Sequence, residues 1–196
     1  MTIDTTRSAH TLHYIGFDKQ TGRILVMHSR TSIEGKTSQR MNHDELSSLF
    51  RDDASILPKL SGNDWDNLDV LELTEHAAKE RGAPMMVDVA KRKLVPQPTL
   101  ALIADRTELT GDGVDSLDIR IEVRAANNHV VRKFDGAVKV STTRGRLSTP
   151  GGVVQLKDGV GSITLTSAAE TVSSLLVQAR AVDDLVATGS LKLEFL

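Results

Sequence analysis

Between Leu117 and Val123 apolar and charged residues alternate without a break. Leu117, Ile119, Ile121 and Val123 stand against Asp118, Arg120, Glu122 and Arg124. A period of two with one apolar face specifies a half-buried strand, so Ile121 is expected in a core and Glu122 in solvent. The same pattern returns in Val138-Lys139-Val140, in residues 161–165 and 173–181, and in Leu191-Lys192-Leu193-Glu194-Phe195. Turn-forming residues separate these runs: Gly111-Asp112-Gly113, Asn127-Asn128, Asp135-Gly136, Arg144-Gly145, Pro150-Gly151-Gly152, Asp158-Gly159 and Asp183-Asp184. Short strands at this spacing, with no helical stretch among them, predict an antiparallel β-sandwich.

The first half is patterned differently. Residues 11–17 and 23–29 are β-rich and flank Asp18-Lys19-Gln20-Thr21-Gly22, a connection suited to a hairpin. A polar stretch over residues 30–41 follows. Asn42 then suits a helix cap, Asp44 and Glu45 suit its positive end, and Leu46, Leu49 and Phe50 form an apolar stripe ending near Asp52. Residues 68–73 fit a strand or a helix, with Leu71 facing outward. Residues 74–81 favour a helix that Gly82 closes. Residues 85–95 read as a second hairpin, turning near Ala90-Lys91-Arg92-Lys93. Together these elements predict a small α+β domain.

Val95-Pro96-Gln97-Pro98 is an extended, semi-rigid joint between the halves. Histidine usage changes at that point: His10, His13, His28, His43 and His76 precede it, and only His129 follows. The division is therefore residues 1–95, a small α+β docking or assembly domain, and residues 96–196, the sandwich.

The sandwich resembles a bacterial immunoglobulin-like domain of the invasin/intimin type. Three segments carry the likeness. The first runs from Ala104-Asp105 through Leu109-Thr110-Gly111-Asp112-Gly113 into the alternating strand. The second is Asp135-Gly136-Ala137-Val138-Lys139-Val140, with Arg144-Gly145-Arg146-Leu147 after it. The third is residues 157–167, Lys157-Asp158-Gly159-Val160-Gly161-Ser162-Ile163-Thr164-Leu165-Thr166-Ser167. The resemblance covers about half the chain and implies a structural or adhesive module. It brings no catalytic residues with it.

Composition narrows the chemistry. The chain has 196 residues, a net charge of −2 and 3% aromatic residues, so neither a basic field nor a stacking platform favours nucleic acid. Cysteine is absent, which removes disulfides, thiolate nucleophiles and Cys-ligated metal sites. His10 and His13, three apart on a strand, face opposite sides and do not readily share an ion, with His28 or without it. Asp64, Asp66 and Asp69 surround Trp65 with calcium-loop spacing but lack the central Gly and distant Glu, so a solvated acidic turn is the better reading. Ser29, Ser32, Ser47 and Ser48 lie near His28 and His43 in sequence, outside any nucleophile elbow. Lys91-Arg92-Lys93 is a charged hairpin turn. The Gly111-Asp112-Gly113 and Gly151-Gly152 segments are tight turns needing positive φ. No catalytic, cofactor-binding or metal residue is expected.

The apolar runs fall far short of the ~20 residues that span a bilayer, so no membrane insertion is expected. Residues 1–9 are polar and lack the apolar core of a secretory signal. Met1 and Ile3 are the only large apolar side chains there, too few to order the segment alone, so it is expected to lie on a neighbouring subunit. The reading that follows is a non-enzymatic structural or interaction protein. It would be an Ig-like component of a phage virion, tail or tail-like particle, made in the cytoplasm. Its partners would be protein subunits in a homo-oligomer or particle, with no cofactor. The alternative is a cell-surface adhesin or carbohydrate-binding module whose leader is missing. The loops over residues 110–116, 126–134 and 143–153 offer a sugar only one ring, Phe134.

Overall fold

A computed structural model describes residues 9–33, 44–45, 48, 66–73, 84–169 and 174–196. The chain divides into two units, Met1–Val95 and Pro96–Leu196, and the described residues are mainly β.

In the first unit β1 (Ala9–Asp18), β2 (Ile24–Ile33) and β3 (Leu68–Leu73) form an antiparallel sheet in the order β2-β1-β3. The turn between β1 and β2 is built by Asp18, whose Oδ1 accepts the backbone N–H groups of Gln20 at 2.9 Å and Thr21 at 2.8 Å. Gly22 completes it at φ +74°, where a Cβ would meet the Val87 carbonyl oxygen at 2.0 Å. That close approach lets Val87 N donate to Gly22 O at 2.8 Å and docks the second hairpin, β4 (Met85–Asp88) and β5 (Lys93–Pro96). β1 is buried on both faces: Tyr14 packs with Val26, Leu68 and Val70, while Ile15 and Phe17 pack with Leu73 and Val87 on the other side. Fully burying a side chain of this size stabilises by ~1.5–3 kcal/mol.

Three expectations change here. Residues 68–73 are a strand, and Leu71 packs beside Ile15 and Phe17 instead of facing outward, because β4 and β5 cover that face. The polar stretch begins later than expected, since residues 30–33 continue β2 opposite residues 9–12. Of the helix expected over residues 42–52, Asp44, Glu45 and Ser48 are described and are helical. The helix expected over residues 74–81 lies outside the described residues, as does the segment 1–8.

The second unit is an immunoglobulin-like β-sandwich. Its strands are β6 (Thr99–Ala104), β7 (Glu108–Leu109), β8 (Ser116–Arg124), β9 (Gly136–Thr142), β10 (Arg146–Leu147), β11 (Val153–Leu156), β12 (Val160–Thr166), β13 (Ser174–Ala181) and β14 (Gly189–Phe195). One sheet has the order β10-β12-β8-β6 and the other β11-β9-β13-β14-β7. Alternate residues of each strand meet in one core. Ile119, Ile121, Val123, Val138, Leu165, Val177, Leu193 and Phe195 belong to it. The pairing is antiparallel apart from β7, which runs parallel to β14.

The alternation places Ile121 inward, fully buried, as expected. Glu122 departs from expectation. It faces out of the sheet but is only 4% exposed, held between Arg120 at 2.9 Å and Arg124 at 2.7 Å. Period-two spacing decides which face a residue takes. It does not decide what its neighbours lay over it, and two long arginine stems beside small cross-strand partners, Ala101 and Val160, close over the carboxylate.

Candidate functional site

The residues singled out in the first unit are engaged in the fold. His13 Nδ1 and Ser29 Oγ are hydrogen-bonded at 2.7 Å across β1 and β2, so Ser29 meets His13 and not its sequence neighbour. Among the described residues no group of three His, Asp or Glu side chains is arranged to hold a metal ion. Asp69 is not a member of a solvated turn: it pairs with Arg92 at 2.6 Å, and Arg92 also donates to Val70 O at 2.8 Å. Lys91 pairs with Asp88 at 3.2 Å, so two of the three cations in the basic cluster are neutralised on the spot. The Lys91 backbone N–H leads the interactions that lower the Asp88 pKa. Asp66 is exposed, and its carbonyl accepts Lys19 Nζ at 2.8 Å. Ser32 lies in β2. Asp64, Trp65, His43, His76 and Ser47 lie outside the described residues.

At one end of the sandwich the glycine-flanked turn is locked by acids. Asp112 Oδ1 accepts the backbone N–H groups of Asp115 at 2.8 Å and Val114 at 2.9 Å, and Ser167 Oγ at 3.2 Å. Asp115 accepts two hydrogen bonds from the Arg106 guanidinium, at 2.6 and 3.0 Å, and one from Thr110 N at 2.8 Å. The Arg106 hydrogen bonds, followed by that from Thr110, hold the Asp115 carboxyl well below the usual carboxylate range. The Asp115 and Val114 amides lower Asp112 in the same way. Of the two glycines expected at positive φ in this turn, Gly113 is there, at +82°.

At the other end Arg124 extends the Glu122 network, donating to Asn128 Oδ1 at 3.0 Å and tying the β8–β9 loop to the sheet. Asn128 turns that loop at φ +66°. Phe134, the one aromatic ring in these loops, is half-buried and packs against the core.

What remains open is a groove. Two hollows, of about 770 and 450 Å³, share Lys139 and Ser141. The smaller lies over β9 and β13, beside Gln178 and Arg180. The larger runs on past the end of β11 to Arg146 and Ser148. It exists because Gly152, at φ +68°, sits where a Cβ would meet the Val140 carbonyl at 2.0 Å, folding the β10–β11 connection tightly onto β9. Sequence reasoning missed the groove. Lys139 and Arg180 become neighbours only through the β9–β13 register, and the one local signal was Lys139 in an alternating strand.

No family model matches the chain, and no curated protein is similar to it. Among solved structures it is similar to the C-terminal 282-residue fragment of intimin, crystallised with the intimin-binding domain of the translocated intimin receptor. That likeness has 24% identity over 48% of this chain and 31% of that one, with a TM-score of 0.39. It is similar to the Yersinia pseudotuberculosis adhesin InvE at 18% identity over 51% of this chain and 28% of that one, TM-score 0.41. A glycosyl hydrolase family 2 member from Bacteroides cellulosilyticus is similar at 13% identity over 100% of this chain and 24% of that one, TM-score 0.45. The chain spans less than a third of the length of each of these chains.

Proposed function

We propose that the chain is a non-enzymatic interaction module, displayed at the cell surface in the manner of an adhesin and binding a protein partner. One observation carries this reading. The ionised side chains at the sandwich loops, Arg106, Asp112, Asp115 and Arg124, are bonded back onto the loops themselves, making a rigid body on which Lys139 and Arg146 stand without an acidic partner among the described residues along one groove. Rigid elements present a binding face at low entropic cost. The invasin/intimin resemblance of residues 104–167 supports the adhesive setting. Incorporation into a virion or tail-like particle is the second setting, with residues 1–95 as the docking domain.

Tagging the chain in its native cell tests this. The expected result is cleavage by protease added to intact cells, together with cross-linking to a protein partner. Protection from protease with co-sedimentation in a particle fraction would replace the surface reading with the particle one. Failure to cross-link to any protein in either fraction would remove the interaction reading.

A further inference from the structure

We propose that the groove over β9 and β13 receives an acidic, extended segment of a partner protein. This rests on the interaction-module reading and names the face and the chemistry. The chain as a whole has more acidic than basic side chains, with a net charge of −2. The groove inverts that balance: Lys139, Arg146 and Arg180 line it, and among the described residues no carboxylate does.

The register makes the inversion sharper. Lys139 stands directly opposite Arg180 on the adjacent strand. Like charges facing each other across a ladder destabilise it. Arg180 is relieved by Asp184, whose carboxylate accepts Nε at 3.0 Å and Nη2 at 3.2 Å. Lys139 and Arg146 have no such relief among the described residues, and an incoming carboxylate supplies it. The free Arg146 guanidinium presents a planar fork suited to a bidentate carboxylate contact. Ser141, Gln178 and Ser148 add neutral hydrogen-bonding groups along the same path.

Two features favour a peptide over other polyanions. Among the described residues no aromatic ring lines the groove, so they offer neither sugars nor bases a stacking surface. The neutral donors and acceptors of Ser141, Gln178 and Ser148 line the groove beside the cations, where they can bond the backbone amides of an extended segment.

The test uses the full chain and fluorescence anisotropy of a labelled peptide that alternates Glu and Ser, with a Gln-for-Glu peptide as the neutral control. Binding is expected for the acidic peptide alone, and it should weaken with added salt. Lys139→Glu combined with Arg146→Glu should weaken it about ten-fold or more, as expected for charges in direct contact. Lys157→Glu changes charge outside the groove and should change affinity about two-fold or less. Both changed groove positions are exposed, and a retained thermal transition checks that the variants are folded. No binding by the unmodified chain would overturn the proposal. So would equal losses in the groove and Lys157 variants, or binding of a heparin fragment with none of the acidic peptide. If the groove variant still cross-links to its partner on cells, the groove assignment fails while the interaction reading stands.

Discussion

The two sheets of the sandwich are built from the same alternating pattern, but their outward charges are partnered differently. On β8 each outward ionic group has a neighbour: Asp118 accepts Thr164 Oγ1 at 2.6 Å, and Glu122 is clasped by Arg120 and Arg124. On β9 Lys139 faces another cation, and among the described residues no acid lines the nearest hollows. A face whose charges are mutually satisfied has little to offer a partner. A face that leaves cations opposed is tolerated where binding resolves it. Outward residues of one sandwich therefore separate into structural and functional sets by their pairing, although their spacing is identical.

Four substitutions sharpen or break that contrast. The largest effect belongs to the shared core. Ile121→Ala should destabilise the second unit by ~2–4 kcal/mol, read as faster hydrogen exchange of the β8, β12 and β6 amides in urea. Glu122→Ala comes next, at ~1–3 kcal/mol, because it leaves Arg120 and Arg124 facing each other over a buried site. Lys139→Ala should change stability by ~0.5 kcal/mol or less, or raise it by removing the repulsion with Arg180. Equal melting temperatures for the Glu122 and Lys139 variants would erase the distinction between the two faces.

The smallest effect is conditional on acid. Hydrogen bonds to Asp115 and Asp112 hold both carboxyls below the ordinary aspartate range in the folded state. The native state therefore binds fewer protons than the unfolded chain. The stability these groups contribute is present above the unfolded value and is lost as pH falls through the folded values. Thermal melts of the intact chain should drop in midpoint below about pH 4, and Arg106→Gln should shallow that drop by returning Asp115 toward its ordinary value. An unchanged acid profile in that variant would mean that Arg106 does not hold the turn.

The core strands were readable because burial follows the period-two signal. β8, β9, β13 and β14 all show it. β6 did not, since Leu100 and Leu102 face the core while Ala101 and Ile103 keep the outer side apolar too, leaving no alternation to detect. β7 and β10 are two residues long, below any periodicity. The side-chain partnerships were hidden for a different reason: Asp69 and Arg92 are 23 residues apart, and Lys139 and Arg180 are 41 apart, so only the folded register joins them. The candidate site lay almost entirely in that second category. What could be read was that Gly151-Gly152 is a turn at positive φ. That the turn shapes one wall of a groove could not be read.

The parallel pairing of β7 with β14 has a mechanical consequence. Three backbone hydrogen bonds, Glu194 N to Thr107 O at 2.9 Å, Leu196 N to Leu109 O at 2.8 Å and Gly111 N to Leu196 O at 3.0 Å, fasten the last strand alongside the first part of the unit. The two strands run the same way, so tension drawing residue 196 forward and residue 99 backward slides them lengthwise past each other. The bonds are then loaded together in shear instead of being peeled one at a time, and forced unfolding is governed by the barrier to that collective step. A module held this way resists a steady pull along its strands through a kinetic barrier, whatever its equilibrium stability.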